Sequence, residues 1–546
     1  MYTKQQVFVQ AAKSTRNGKT YATHQVRESF RTPKGPRSRT ICNLSDLPKE
    51  VRELIAASLR GEPMVPVHDL KLAEAQDYGG LAVLVDAWRR LGLDRFMSGL
   101  GTPRQQGLLK AMILGRILFP SAKLALCEQA EGTALARACG LSASGDFDGD
   151  DLCEAMDLLN GQWVPMEKNL YQEAFPQGVR MVLYDLTSTC FEGCGPDKMG
   201  RYGHSRDHRE GRQQIILAVA TDPDGIPLHV EVLRGNRADN KTLQGLLATL
   251  RRRFGIREAT FVFDGGMSST VNLEALDEAQ MRFVTRLSNS TMESLLAELP
   301  QEKPLELGDR TRLVEGIHQG KRHVIAGGDW RCKRDEERRS ARRAKGRSAL
   351  EKMARVKRKQ ADPQKLASQA GRMLERLKAH KYFTCRVNPQ GVLEWAEKKE
   401  TIQKEIQRDG WYLLHPNCPA ETCDKEKVLA HYKGLLKVEE AFCQLKSYME
   451  VRPIYHWRPD RVRNHVRLCF IAYWLSARLG REWRNSGESG EGPRILRRLQ
   501  SIRIGKLEVA GKMARSLMTE TPQELNKLLE KLNVIKLFAT VPDWAV

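Results

Sequence analysis

Five short apolar runs between residues 181 and 287 constrain this chain more than any other feature. Met181–Tyr184, Ile215–Ala220, Leu228–Leu233, Thr260–Phe263 and Phe283–Leu287 are rich in branched and aromatic residues, and each has strand length. Asp222-Pro-Asp-Gly225 reads as a hairpin turn between the second and third runs. Helical spacing over Asn240–Arg253 and Thr270–Ala279 fills the two later gaps. The order is therefore β-β-β-α-β-α-β. It predicts a mixed sheet in which three antiparallel strands are followed by parallel crossovers.

An RNase H-like fold has this order, so the expected class is α/β. In that arrangement the first and fourth strands are neighbours at the sheet centre. Asp185, in Tyr184-Asp-Leu-Thr-Ser188, is read at the end of the first strand, and Asp264, in Phe261-Val-Phe-Asp-Gly-Gly-Met267, at the end of the fourth. Their carboxylates can therefore converge. Two ionised carboxylates about 4 Å apart repel by roughly 4 kcal/mol at an effective dielectric near 20. A divalent cation removes that penalty, and hard oxygen donors suit Mg²⁺ or Mn²⁺. Taken singly, each aspartate reads equally well as a cap or loop residue.

A third acid lies in a helical pattern. Residues 425–450 and 459–486 read as amphipathic helices separated by Arg452-Pro453. Tyr432, Glu439 and Lys446 are spaced by seven, which leaves about a 20° offset and puts all three on one helix face. Glu439 can complete a carboxylate cage, and Lys446 can meet a phosphate about 10 Å along the axis. Tyr432 can stack on a base or hydrogen-bond a backbone. The adjacent Glu440 points about 100° away. On these residues alone, an ordinary amphipathic helix with chance polar positions fits as well.

Charge narrows the partner. The 546 residues carry a formal net charge of +22. Residues 1–40 contribute +8 and residues 331–360 contribute +10, so the excess is clustered, and a polyanion such as nucleic acid is the expected partner. The run containing Arg338, Arg339, Arg342 and Arg343 is read as a DNA-backbone contact, with a solvated helix or a nuclear-localisation patch as alternatives. The 12 cysteines include no Cys-x-x-Cys pair and read as free thiols of a reducing cytoplasm. His204, His208, His431 and His456 form no spaced ligand set. Trp330 reads as a core residue, with base stacking as the alternative. Asp146–Asp151 lacks calcium-loop spacing and reads as a solvated turn. The longest apolar stretch, near Leu468–Ala477, is too short to span a bilayer, and the N-terminus shows no signal core.

Six regions are expected. Residues 1–70 form a small basic β/α unit suited to DNA, and 71–176 a helical region. Residues 177–288 carry the first core part. Residues 289–424 are a basic insertion, 425–487 the second core part, and 488–546 a C-terminal region with a strand and a helix over Pro522–Leu532.

Taken together, these motifs resemble the DDE transposases of bacterial insertion sequences, in the branch called the insertion sequence four superfamily. That branch has a Tyr-x2-Arg-x3-Glu-x6-Lys signature, matched here by Tyr432, Glu439 and Lys446. Tyr184-Asp-Leu-Thr-Ser188, Gly203-His-Ser-Arg-Asp207, Gly235-Asn-Arg-Ala-Asp239 and Arg452-Pro-Ile-Tyr-His456 also look like family segments. Two positions depart: Leu435 stands where the signature has Arg, with Lys437 nearby as a cation, and Gly265 stands where Arg usually follows the second Asp. The resemblance implies that Asp185, Asp264 and Glu439 hold two Mg²⁺ (or Mn²⁺) ions. It implies strand cleavage and 3′-hydroxyl strand transfer on double-stranded DNA, at terminal inverted repeats and target, by a homodimer in the bacterial nucleoid. A non-transposing nuclease on the same fold and a catalytically impaired DNA-binding relic are the alternatives.

Overall fold

The computed structural model describes residues 6–16, 19–62, 67–142, 147–207, 209, 211–288, 292, 305–308, 310–355, 363–388, 391–509, 512–542 and 544. His208, Asp146 and part of the basic helical stretch (residues 356–362) lie outside them. Two compact units emerge. One takes Met1–Gln76 and Arg503–Glu520, and the other Asp77–Ile502 and Thr521–Ala545.

The first unit contains an antiparallel meander of Gln6–Arg16, Lys19–Thr32 and Gly35–Asn43. The Pro33–Pro36 turn is present as expected: Gly35 takes φ 110°, and Thr32 Oγ1 donates to its carbonyl at 2.8 Å. A second three-stranded sheet orders Lys512–Met518, Arg503–Val509 and Leu70–Asp77.

The second unit is built on a nine-stranded sheet. Its first five strands are β1 (Met181–Cys190), β2 (Gln214–Thr221), β3 (Pro227–Arg234), β4 (Thr260–Phe263) and β5 (Arg282–Arg286). Helices α1 (Leu243–Phe254) and α2 (Thr270–Glu278) make the crossovers. Strands β1, β2 and β3 pair antiparallel, while β1–β4 and β4–β5 pair parallel. This is the RNase H-like order. In the hairpin turn, Asp222 Oδ1 accepts from the Asp224 and Ile226 amides at 3.0 and 2.7 Å, and Gly225 takes φ 82°.

Two expectations need correction. The first strand does not end at Asp185. Leu186–Cys190 continues it, because each residue of that polar stretch still finds a partner on β2. Nor does the sheet end at β5. The segment 289–424 supplies β6 (Leu305–Glu306), β7 (Thr311–His318), β8 (Lys321–Gly328) and β9 (Trp411–Pro416), giving the order β6-β7-β8-β9-β5-β4-β1-β2-β3. An open β5 edge would leave a row of backbone groups unpaired, and β9 satisfies them antiparallel. The rest of that segment forms its own core. Helix α3 (Asp329–Arg355), the helix Pro363–Arg376 and the hairpin Phe383–Val387/Leu393–Glu397 bury Leu350, Leu374, Tyr382 and Phe383 together.

The helix carrying Glu439 is also not continuous. It consists of α4 (Lys425–Lys433), α5 (Leu436–Cys443) and a π-helical turn over Gln444–Tyr448. Helix α6 (Pro459–Asn485) follows, buried on most sides from Val462 to Trp483, and packs against the helices Pro103–Leu118 and Gly149–Asp157. Asp148 caps the latter by accepting from the Asp150 and Asp151 amides at 2.9 Å each, so the described part of the acidic stretch is a helix start. No described helix is long and apolar enough to cross a membrane.

Candidate active site

The parallel ladder between β1 and β4 pairs Met181 with Thr260 and ends with Tyr184 opposite Phe263. Asp185 and Asp264 directly follow that last pair. Beyond it the strands part: β1 stays with β2, while β4 gives way to a 3-10 turn over Gly265–Met267. Thr285 Oγ1 donates to the Phe263 carbonyl at 3.0 Å and fixes the end of β4. Asp264 is exposed, whereas Asp185 is set deeper and accepts from the Leu186 amide at 2.7 Å.

Glu439 is exposed on α5, which packs against β1 and β2. Its charge reaches Asp185. Burial first, then the neighbouring Asp264 and Glu439 carboxylates, push the Asp185 pKa up to about 7, against a lowering by its backbone hydrogen bond and by Arg206. The site therefore gathers three acids whose joint ionisation is costly. Glu440 turns elsewhere and accepts from Lys437 Nζ at 2.8 and 3.1 Å.

The donor set consists of carboxylate oxygens, which fit Mg²⁺ or Mn²⁺. Among the described residues no three His, Cys, Asp or Glu side chains enclose an ion by themselves. Water or DNA phosphate oxygens would have to complete the shell, a common habit of Mg²⁺.

The remaining signature residues have partners. Tyr432 donates to Asp264 Oδ1 at 2.9 Å, and its ring packs on Tyr412 at 5.9 Å. Lys446 is buried on the π-helical turn, where its Nζ donates to Thr187 Oγ1 at 2.6 Å and to Asp207 Oδ1 at 2.8 Å. Arg452 pairs with the other Asp207 oxygen at 2.6 Å. A single straight face through Tyr432, Glu439 and Lys446 is thus not what is found. The break at Gly434 and the widened turn at Lys446 re-aim both ends of the signature toward the strand tips. A Cβ on Gly434 would lie 2.9 Å from the His431 carbonyl oxygen and 3.6 Å from Leu183 on β1, so glycine permits the joint.

Sequence reasoning quoted Gly203-His-Ser-Arg-Asp207 only as a family-like segment and gave Arg206, Asp207 and Arg286 no role. Arg206 pairs with Asp239 at 2.6 Å and its amide donates to Ser188 Oγ, which joins the Gly203–Asp207 and Gly235–Asp239 segments beside β1. Besides their resemblance to family segments, both run from Gly to Asp over five residues with an Arg between. Gly265 has a steric reason: a Cβ there would meet the Arg286 carbonyl oxygen at 3.0 Å. A cleft of about 950 Å³ opens beside Asp264, lined by Gly265, Arg286, Lys321, His323 and His415.

The basic run on α3 divides. Arg339 is buried and paired with Asp409, and Arg343 pairs with Glu397 at 2.6 Å. Arg339 is thereby tied inside the insertion, while Arg343 is tied to Glu397 and stays half-buried. Arg338 is exposed and Arg342 half-exposed. Trp330 is 71% exposed under Arg334, which corrects its reading as a core residue.

The family described as "Transposase DDE domain" matches residues 181–475, spanning every element of this site, and the chain belongs to it. No curated protein matches the sequence. Among solved structures, a piggyBac transposase synaptic complex with hairpin DNA aligns over 79% of this chain and 82% of that one, at 8% identity and a TM-score of 0.38. A likeness that slight carries no weight beside the family match.

Proposed function

We propose that this DNA transposase moves an insertion sequence of the insertion sequence four type, by metal-dependent strand cleavage and 3′-hydroxyl strand transfer. The observation that carries the reading is that Asp185 and Asp264 each follow the last paired residues of neighbouring parallel strands, with the Asp264 and Glu439 charges both acting on Asp185. Three carboxylates on a strongly basic chain suit phosphodiester chemistry better than any nucleophilic mechanism the site offers.

Asp185, Asp264 and Glu439 would hold the metal. Two bound Mg²⁺ ions would activate water or a 3′-hydroxyl and stabilise the leaving 3′-oxygen. The chain's own residues supply the rest. Asp185, raised to about 7, is part-protonated at neutral pH and would give up that proton to a bound cation. Tyr432 fixes one Asp264 oxygen and so orients the other. Lys446, Thr187 and Asp207 brace β1 behind the site. Terminal inverted repeats and target DNA are the proposed substrates, a homodimer on DNA the proposed assembly, and the bacterial nucleoid the proposed setting.

The test is cleavage of a duplex carrying the element's end. Strand nicking should require Mg²⁺ or Mn²⁺, release a 3′-hydroxyl and be followed by joining to a second duplex. Nicking without joining would favour a non-transposing nuclease, and retained DNA binding without nicking a catalytically impaired relic.

A further inference from the structure

A cavity of about 300 Å³ lies where the segment after the Glu439 helix crosses the helical region. Arg116, Lys123, Arg452, Tyr455, His456 and His465 line it, and its one acidic lining residue, Glu450, is exposed. Arg452 is committed to Asp207. Arg116 and Lys123 have no carboxylate partner among the described residues, and they repel each other across the cavity. Lys123 Nζ contacts His456 Nε2 at 3.0 Å. Burial first, then Arg116, pull the Lys123 pKa down to about 8, and burial with Lys123 holds His456 near 3 and therefore neutral. His465 is 6% exposed. Its Nε2 donates to the Val451 carbonyl at 3.2 Å, and its Nδ1 has no partner.

Lys123 is partly withdrawn from water and Arg116 is half-exposed, and a cation so placed without a counter-charge costs free energy. Two such cations, with an unmet histidine nitrogen, have the chemistry of an anion receptor. A bridging water can donate both to Nδ1 and to an anion's oxygen. The rim indicates which anion. Tyr455, which lines the cavity, is 66% exposed, so a bare aromatic ring stands at a cationic hole, with the 75% exposed Trp457 two residues on. That pairing suits a nucleic-acid strand, with bases on rings and phosphate on cations. Position agrees. Ile454 bridges to Phe191, just past the end of β1. Arg452 also leads through Asp207 and Lys446 to Thr187, two residues from Asp185.

We propose that this cavity binds a phosphate of the DNA strand leaving the carboxylate site, with the neighbouring base stacked on Tyr455. The proposal rests on the DNA-transposase reading above. Its test is the fluorescence anisotropy of a labelled single-stranded oligonucleotide, titrated over a range of salt. The proteins are the parent, Arg116→Gln/Lys123→Gln, Tyr455→Ala, and the charge-matched surface control Lys404→Gln/Lys527→Gln. The cavity double variant should bind at least about tenfold more weakly than the control, with a log–log salt slope flatter by about 0.7 for each phosphate no longer neutralised. Tyr455→Ala should weaken binding severalfold and leave the slope unchanged. Equal binding by the cavity variant and the control overturns the proposal. If the double variant does not fold, Tyr455→Ala decides, and unchanged affinity overturns it. Inorganic phosphate, titrated calorimetrically, should compete with the oligonucleotide. Phosphate binding without competition would make this a free-anion site and overturn the proposal too. A parent that binds no DNA would defeat the transposase reading itself. A parent that binds and cleaves, with a cavity variant equal to the control, defeats only the cavity.

Discussion

Tyr432 and Asp264, 168 residues apart, are joined by a 2.9 Å hydrogen bond from the phenol to the carboxylate. The bond ties α4 to the tip of β4 and leaves Asp264 one oriented oxygen for a cation. Partners of this kind set the geometry of metal-ligating carboxylates, and their loss commonly costs 10–100-fold in affinity or activity. Tyr432→Phe keeps the ring on Tyr412 and removes only the hydroxyl. It should raise the Mg²⁺ concentration for half-maximal cleavage by about tenfold or more, with little change in melting temperature. Cleavage assayed across a Mg²⁺ series checks this, and an unchanged midpoint would show that the phenol does not orient Asp264.

The Asp185 carboxyl provides a pH signature. Its pKa rises from an ordinary carboxylate value to about 7 on folding. Between roughly pH 4 and pH 7 the folded state then binds more protons than the unfolded state, so stability falls as pH rises through that window. Three units correspond to at most about 4 kcal/mol. Metal-free protein should lose melting temperature from pH 5 to pH 7, and Mg²⁺ or Mn²⁺ should restore it at pH 7 more than at pH 5. Asp185→Asn should flatten the metal-free profile and abolish the cation's effect, which thermal melts at several pH values will show.

Lys446 sits in the branch's signature but is buried against Asp207 and Thr187. Removing one member of a buried, hydrogen-bonded ion pair typically costs about 3–5 kcal/mol, because the other charge is stranded. Arg452 still holds Asp207 in Lys446→Met, so the cost should fall below that scale, at about 1–3 kcal/mol in urea unfolding. Lys446→Met/Asp207→Asn should cost clearly less than the two single changes combined. Strict additivity would mean that the pair is not coupled in solution.

The basic face of α3 predicts two separable effects. Arg339→Ala breaks a buried pair with Asp409 and should cost about 3 kcal/mol of stability. Arg338→Gln/Arg342→Gln should leave stability within about 0.5 kcal/mol and flatten the salt dependence of duplex binding, by about 0.9 for each phosphate no longer neutralised. Melting curves and salt titrations on the same samples distinguish them. The reverse pattern would contradict the assignment.

What could be read from the sequence followed the reach of local physics. The five core strands were legible because apolar runs and the Asp222–Gly225 turn are local signals. The continuation of β1 through Leu186-Thr-Ser-Thr-Cys190 was not, since only β2, brought in by the fold, makes those polar residues a strand. Strands β8 and β9 escaped recognition as part of the core sheet because β8–β9 and β9–β5 pair across about a hundred residues of intervening chain, and β7 reaches the sheet only through its local hairpin with β8. The strands that carry the two aspartates were legible as neighbours, since strand order alone decides that. The Lys446–Asp207 pair and the inward turn of Arg339 were not visible, because helix periodicity is blind to a π-helical turn and to partners far along the chain.

The most direct measurement is the cleavage rate of the element-end duplex by four single variants: Asp185→Asn, Asp264→Asn, Glu439→Gln and Glu440→Gln. The first three should each fall at least about a thousandfold in rate while still binding DNA, as removal of groups acting in one unit does. Glu440→Gln, which disturbs only the pairing with Lys437, should cleave within a fewfold of the parent. Parent-like cleavage by Asp185→Asn, or an inactive Glu440→Gln beside an active Glu439→Gln, would contradict the account.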